Sequence, residues 1–377
     1  MAGSSRPAAS GLNELGRLLA RRIRLAGPLS VADYMAEALG HPLHGYYATR
    51  DPFGAGGDFI TAPEITQIFG ELIGLWCADG WVRMGRPDPV ILAELGPGRG
   101  TLMADALRAL RVAPEFRRAL RLHLLETSPV LRQMQAKTLA DADPRWHHSF
   151  ATLPEGPLIV IANEFLDALP IRQFVRGEKG WHERRVALGS DGASLTFALD
   201  ATASAAGAAL IPTALGDAPP GSLVEVRPAA LSLAVAIGKR FATEGGLGLF
   251  IDYGHGQSRC GETLQAVRAH HRHDVLAAPG DADLTAHVDF AAFAEAAASA
   301  GARAWGPLPQ GAFLTALGLA ERASALLKRA TPSQARDIES ACRRLIDPAE
   351  MGTLFKAMAI ADPALSAPAG FGGSENT

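Results

Sequence analysis

Leucines and isoleucine at Leu12, Leu15, Leu18, Leu19 and Ile23 recur at helical spacing and predict a first helix near Leu12–Leu25. Ser30, with the acid Asp33 three residues on, has the form of an N-cap for a second helix running to about Leu39. From His41 to Glu64 the periodicity stops. A loop of this length inside a domain is usually functional or disordered, and Tyr46, Tyr47, Phe53 and Phe59 favour an ordered one. Helical spacing returns from Ile65 to Val82. Three apolar strand candidates follow, Val90–Leu95, Leu122–Glu126 and Leu158–Ala162, separated by helical stretches near Leu102–Leu110 and Val130–Leu139. The alternation predicts a parallel α/β sheet with helices on both faces. Ligands of such sheets lie beyond the carboxyl ends of the strands, here at Glu94–Gly100, Glu126–Ser128 and Asn163–Asp167.

Farther along, Phe174–Val186 and Ser194–Leu199 read as short strands, and the Ala-rich tract Asp200–Gly216 as a loop or weak helix. Leu223–Val226 and Thr263–Val267 are strand candidates, and Pro228–Phe241 is a helix. Gly248–Ile251 is an apolar strand that ends in Asp252-Tyr253-Gly254-His255, a set placed to face the same sheet edge. Helices are expected at Phe290–Ala300, Ala312–Arg329 and Pro332–Ile346, with a last strand at Leu354–Ile360. The expected division is a disordered tail over 1–10 and an N-terminal helical and lid segment over 11–85. A core spans 86–260, interrupted by inserted strands and a loop at about 175–222; a region over 261–362 completes it, and a Gly-, Pro- and Ser-rich tail over 363–377 is expected to fray.

Composition narrows the function classes. The chain has 377 residues, 48% hydrophobic and 20% charged, with net charge −3, which argues against nucleic-acid binding by bulk charge. No apolar run approaches the ~20 residues needed to span a bilayer. Cys77, Cys260 and Cys342 are odd in number and far apart, which points to a reducing compartment, with the cytoplasm as the default. Arg17, Arg21, Arg22 and Arg24 have the flavour of a transit peptide, but the leucine spacing there is that of the first helix. The run His270-His271-Arg272-His273-Asp274 has no spaced partner and reads as a solvated loop, so no metal is expected. The oligomeric state is left open.

The stretch Val90–Thr101, V-I-L-A-E-L-G-P-G-R-G-T, carries the strongest chemistry. Glycines at Gly96, Gly98 and Gly100 let a ligand approach bare backbone, and the helix that starts at Thr101 offers free N–H groups. A dinucleotide site expects G-x-G-x-x-G with an acid ~20 residues beyond it. Here the third glycine comes one residue early, Pro97 stiffens the turn, and Glu126 follows Gly100 by 26 residues. That spacing resembles the E/D-x-G-x-G-x-G turn of S-adenosylmethionine-dependent methyltransferases, with Glu94 as its acid. Glu126, ending the second strand, is placed to accept from both hydroxyls of a ribose; its plainer reading is a turn acid, with Thr127 and Ser128 capping the next helix.

Several segments together resemble the MidA-like methyltransferases, a family that includes the mitochondrial complex I assembly methyltransferase. They are G-P-L-S-V-A-D-Y-M (27–35), H-P-L-H-G-Y-Y (41–47), G-D-F-I-T-A-P-E-I-T-Q-I-F-G-E (57–71), E-L-G-P-G-R-G-T-L (94–102), E-T-S-P-V-L-R (126–132) and A-N-E-F-L-D-A-L-P (162–170), with weaker matches at 251–255, 284–290 and 310–318. The resemblance implies an α/β fold: a Rossmann-like class I methyltransferase core with an N-terminal helical and loop extension and an inserted α+β substrate-binding region. It implies S-adenosylmethionine as donor and a protein acceptor, an arginine dimethylated symmetrically, in a subunit of respiratory complex I. Cofactor contacts are expected from Glu94, Gly96, Pro97, Gly98, Gly100, Thr101, Glu126, Thr127 and Ser128, and from Asp58, Phe59 and Thr61 in the loop before them.

Methyl transfer is an in-line displacement, so the protein mainly holds donor and nucleophile in line and excludes water. A carboxylate accepting from a guanidinium would orient it. Asn163, Glu164 and Asp167 follow the third strand and are the candidate catalytic residues; their structural alternative is a strand end and a local cap. Two other functions remain open on the sequence: an assembly chaperone that keeps the cofactor fold without catalysis, and a nicotinamide-dependent oxidoreductase.

Overall fold

A computed structural model describes residues 11–50, 61–268 and 270–372. The chain groups into two compact units of discontiguous segments: 1–50, 170–227 and 259–286 form one, and 51–169, 228–258 and 287–377 the other.

The second unit is built on a sheet whose seven main strands are β1 (Val90–Leu95), β2 (Leu120–Leu125), β3 (Arg145–His147), β4 (Leu158–Asn163), β5 (Gly246–His255), β6 (Arg303–Pro309) and β7 (Phe355–Ala361). Their order is β6-β7-β5-β4-β1-β2-β3. The five strands from β5 to β3 are parallel, and β7 joins β5 antiparallel. Every residue of β1 and β4 is buried, as expected of central strands covered on both faces. One face packs against Trp76, Phe69, Leu102 and Phe313, the other against Phe241, Phe290 and Phe293. The helices Gln67–Arg83 and Thr101–Ala109 cross so closely that a Cβ at Gly74 would lie 2.6 Å from the Ala106 carbonyl oxygen. Parallel pairing puts the carboxyl ends of β1, β2, β4 and β5 on one edge.

The first unit carries an antiparallel sheet in the order Leu29–Ser30, Gly180–Leu188, Arg172–Gly177, Leu223–Val226, with Leu195–Leu199 also on Gly180–Leu188. A three-stranded sheet and the helices Glu14–Ala26 and Val31–Gly40 complete it. Asn13 caps the first of these helices through the Gly16 amide at 2.8 Å, and Ser30 caps the second through Asp33.

Several expectations are corrected. The single helix expected over Ala312–Arg329 is two, Gln310–Ala316 and Leu319–Leu327, because Gly318 takes a left-handed φ of 89°. The expected loop His41–Glu64 contains helical turns at Tyr46–Thr49 and Ala62–Ile65. The strand at Gly248–Ile251 runs instead from Gly246 to His255, its end supported by parallel pairing with Val288–Asp289. His271–His273 is a strand against Gln265–Arg268, not a loop; among the described residues no cluster of metal-ligating side chains occurs. The tail does not fray from Pro363: Phe371 is buried against Phe313, and Trp76 donates to the Ala369 carbonyl at 3.0 Å. No described helix is long and apolar enough to cross a membrane.

Candidate functional site

The glycine turn follows β1 directly. Gly96, Gly98 and Gly100 have φ of 65°, 54° and 84°, the left-handed region that costs a side-chain-bearing residue about 1–2 kcal/mol. At Gly96 a Cβ would also meet the Phe165 ring at 2.7 Å. The turn is tied to the next strand by Gly96 N–H donating to the Leu125 carbonyl at 3.0 Å, and Gly100 opens the helix Thr101–Ala109.

One cleft is lined by Thr61, Pro63, Glu64, Glu94, Gly96, Pro97, Gly98, Arg99, Thr101, Leu102, Asn163 and Glu164. The structure thus brings together eight of the expected site residues: Thr61, Glu94, Gly96, Pro97, Gly98, Thr101, Asn163 and Glu164. Gly100, Glu126, Thr127, Ser128 and Asp167 do not line it. Asp58 and Phe59 lie outside the described residues.

Glu94 sits at the floor, 3% exposed, and its Oε2 is buried with no hydrogen-bond partner among the described residues. Burial raises its pKa to about 8. A buried carboxylate oxygen with no internal donor fits a cationic group of a ligand, such as the ammonium of an S-adenosylmethionine-type cofactor.

Glu164 lies at the end of β4 with φ 50°, a left-handed backbone rare outside glycine. Its amide donates to the Ile251 carbonyl on β5 at 2.9 Å. Its Oε1 accepts from the Ala62 amide at 3.1 Å and from Asn163 Nδ2 at 3.2 Å. Burial raises Glu164 to about 7; the Ala62 amide opposes this, Asp167 adds to it, and Asn163 and Arg344 oppose it. The Asn163 Oδ1 is buried without a partner among the described residues.

Asp252 holds the segment that carries these groups. Its Oδ2 accepts from the amides of Leu166 at 2.9 Å and Asp167 at 3.1 Å, and its Oδ1 from Tyr253 at 2.9 Å. Asp167 is buried and accepts from the Ala168 amide at 2.8 Å, which is the local capping role.

Glu126 is differently placed. Its Oε1 accepts from the amides of Thr127 and Ser128, both at 2.8 Å, and its Oε2 from Gln135 Nε2 at 3.2 Å. Burial raises its pKa against the pull of these donors. Thr127 and Ser128 therefore turn their amides to Glu126, and Ser128 Oγ caps the helix Pro129–Thr138.

Sequence reasoning missed Glu64. Its Oε1 accepts from Thr101 Oγ1 at 2.6 Å, and its Oε2 lies 3.5 Å from Arg99, so it links the helical turn Ala62–Ile65 to the glycine turn. The signal was present in the segment G-D-F-I-T-A-P-E, whose last residue it is. Gln135 was missed too, with no local signal to find it.

Comparison with known proteins gives the family of the chain and its cofactor. Residues 72–308 match the model of an S-adenosyl-L-methionine-dependent methyltransferase family. The chain belongs to the MidA-like methyltransferase family. It is 37% identical over 370 residues to the mitochondrial protein arginine methyltransferase NDUFAF7 of Danio rerio, covering 92% of this chain and 86% of that protein. The human NDUFAF7 is 34% identical over 380 residues, covering 94% of this chain and 85% of the relative. A Burkholderia thailandensis protein solved with S-adenosyl-homocysteine superposes with a TM-score of 0.81 at 30% identity, covering 96% of this chain and 95% of that one. S-adenosylmethionine is thus the cofactor of this MidA-like chain, and the unpartnered Glu94 in the cleft agrees.

The cytoplasmic expectation is overturned, because the similar relatives are named as mitochondrial proteins. Its grounds were three separated cysteines, which suit any reducing compartment, and the reading of the arginine-bearing stretch 17–24 as a first helix rather than a transit peptide; neither distinguishes one reducing compartment from another.

Proposed function

We propose that this MidA-like methyltransferase transfers the methyl group to an arginine guanidinium of a protein, with Glu164 as the group that receives the acceptor. The reading is carried by Glu164: a left-handed residue lining the cleft, with a carboxyl raised to about 7 and its hydrogen bonds among the described residues on Oε1 alone. A carboxylate with that affinity for a proton can orient a guanidinium and take the proton its nitrogen sheds on methylation. Bound in the cleft, S-adenosylmethionine supplies an electrophilic methyl carbon on sulfur. Glu94 receives the cofactor ammonium, the glycine turn brings bare backbone against the donor, and Glu126 takes the ribose hydroxyls. Asn163, held to Glu164, lines the acceptor side, and Asp167, outside the cleft, adds to the affinity of Glu164 for a proton. The names of the NDUFAF7 relatives support arginine as the acceptor. The finer reading is symmetric dimethylation of a complex I subunit, which the family resemblance supports.

Glu164→Gln tests this reading. It keeps the shape of the side chain and removes its charge. S-adenosylhomocysteine affinity stays within about 2-fold of the parent, while methyl transfer falls about 100-fold. Full turnover in the variant would remove Glu164 from the reaction.

A further inference from the structure

Gln135 is a buried polar residue, 0% exposed, on the helix Pro129–Thr138. A buried amide is stable only when its donors and acceptor are met; here the glycine turn and Glu126 take the donors and the neighbouring strand β3 supplies the acceptor's partner. Its Nε2 donates to the Gly98 carbonyl at 2.7 Å and to Glu126 Oε2 at 3.2 Å. Its Oε1 accepts from Trp146 Nε1 on β3 at 2.8 Å, which fixes the orientation of the amide. One side chain therefore spans the glycine turn, the acid after β2 and the next strand. The two amides on Glu126 Oε1 come from its own chain neighbours, so Gln135 supplies the side-chain restraint on Oε2.

We propose that Gln135 is a positioning residue: it aims the Glu126 carboxylate at the ribose and locks that aim to the backbone of the glycine turn at Gly98, with Trp146 setting the amide. The proposal rests on the reading that Glu126 takes the ribose hydroxyls. Without Gln135 the carboxylate keeps its charge and two amide contacts but loses its register with the turn. The consequence is a loss of selectivity for the ribose hydroxyls, which a merely structural role would not produce.

The test is calorimetric titration of the full chain with S-adenosylhomocysteine and with its 2′,3′-dideoxyribose counterpart, in the parent, Gln135→Met, Trp146→Phe and Glu126→Gln. The parent prefers the hydroxylated ligand. Gln135→Met weakens that ligand about 10-fold and the dideoxy ligand little, so the preference collapses. Trp146→Phe moves the preference the same way by a smaller factor, and decides the matter if Gln135→Met melts below assay temperature. Equal weakening of both ligands, with the preference intact, would overturn the proposal and leave Gln135 as turn support. A parent-like preference in Glu126→Gln would overturn the ribose reading itself. A collapsed preference in Glu126→Gln beside an intact one in Gln135→Met would overturn the role of Gln135 alone.

Discussion

Glu126 and Glu94 are both buried acids at the carboxyl ends of neighbouring strands, yet the protein treats them in opposite ways. Glu126 has three donors from its own chain, while Glu94 leaves an oxygen buried with none among the described residues. Burial raises the pKa of both, but only Glu126 has hydrogen bonds that pull it back. The first arrangement pre-positions a charge. The second leaves an acid that holds its proton until a cationic ligand group favours the carboxylate. Glu164 sits on the incomplete side, with a raised pKa and a strained backbone. The contrast separates a preformed half, made of the glycine turn and Glu126, from a half whose electrostatics await cofactor and acceptor.

Breaking the preformed half has the largest effect. Gly98→Val places a β-branched side chain at φ 54° beside the cleft and lowers S-adenosylhomocysteine affinity about 100-fold or more by calorimetry. Unchanged affinity would mean the turn does not meet the donor. On the incomplete half, Glu94→Gln weakens the same ligand about 10-fold, since a charge-assisted contact is lost but the site keeps its shape.

The smallest effect is on the empty protein, and its sign follows from the raised pKa values. Glu94 and Glu164 hold a proton more tightly folded than unfolded, moving from an ordinary 4.5 to about 8 and about 7. Their stabilising contribution is fully present below about 4.5 and is lost as pH rises to about 8. In thermal melts Glu94→Gln therefore gains stability relative to the parent as pH goes from 6 to 9, by a few degrees at most. A cofactor ammonium favours ionised Glu94, so ligand affinity of the parent rises over the same range. A flat stability difference between parent and variant would mean that Glu94 is not held protonated.

What could be read in the sequence was what local chemistry dictates. The turn was legible because left-handed backbone at three alternate positions demands glycine. Glu126 and Glu164 were legible because they end apolar strands, and the strands themselves because V-I-L-A-E-L and L-I-V-I-A-N have room for no other structure in a covered sheet. Glu64 and Gln135 act through partners 37 residues away, Thr101 and Gly98; Glu64 at least closes the segment G-D-F-I-T-A-P-E, whereas nothing in the neighbourhood of Gln135 marks it. The tail misled for the converse reason. Its Gly-, Pro- and Ser-rich composition is that of a frayed end, but Phe371 anchors it in the core.

The central claim is best tested by labelled methyl transfer. The purified chain and S-adenosylmethionine with a tritiated methyl group are incubated with a proteome from a strain that lacks this protein, and the labelled residue is identified by amino-acid analysis and mass spectrometry. The account predicts label on arginine nitrogen of a protein, present with the parent and lost with Glu164→Gln. Label on a lysine, on a carboxyl group or on a small molecule, or no label from a chain that binds S-adenosylhomocysteine, would contradict it.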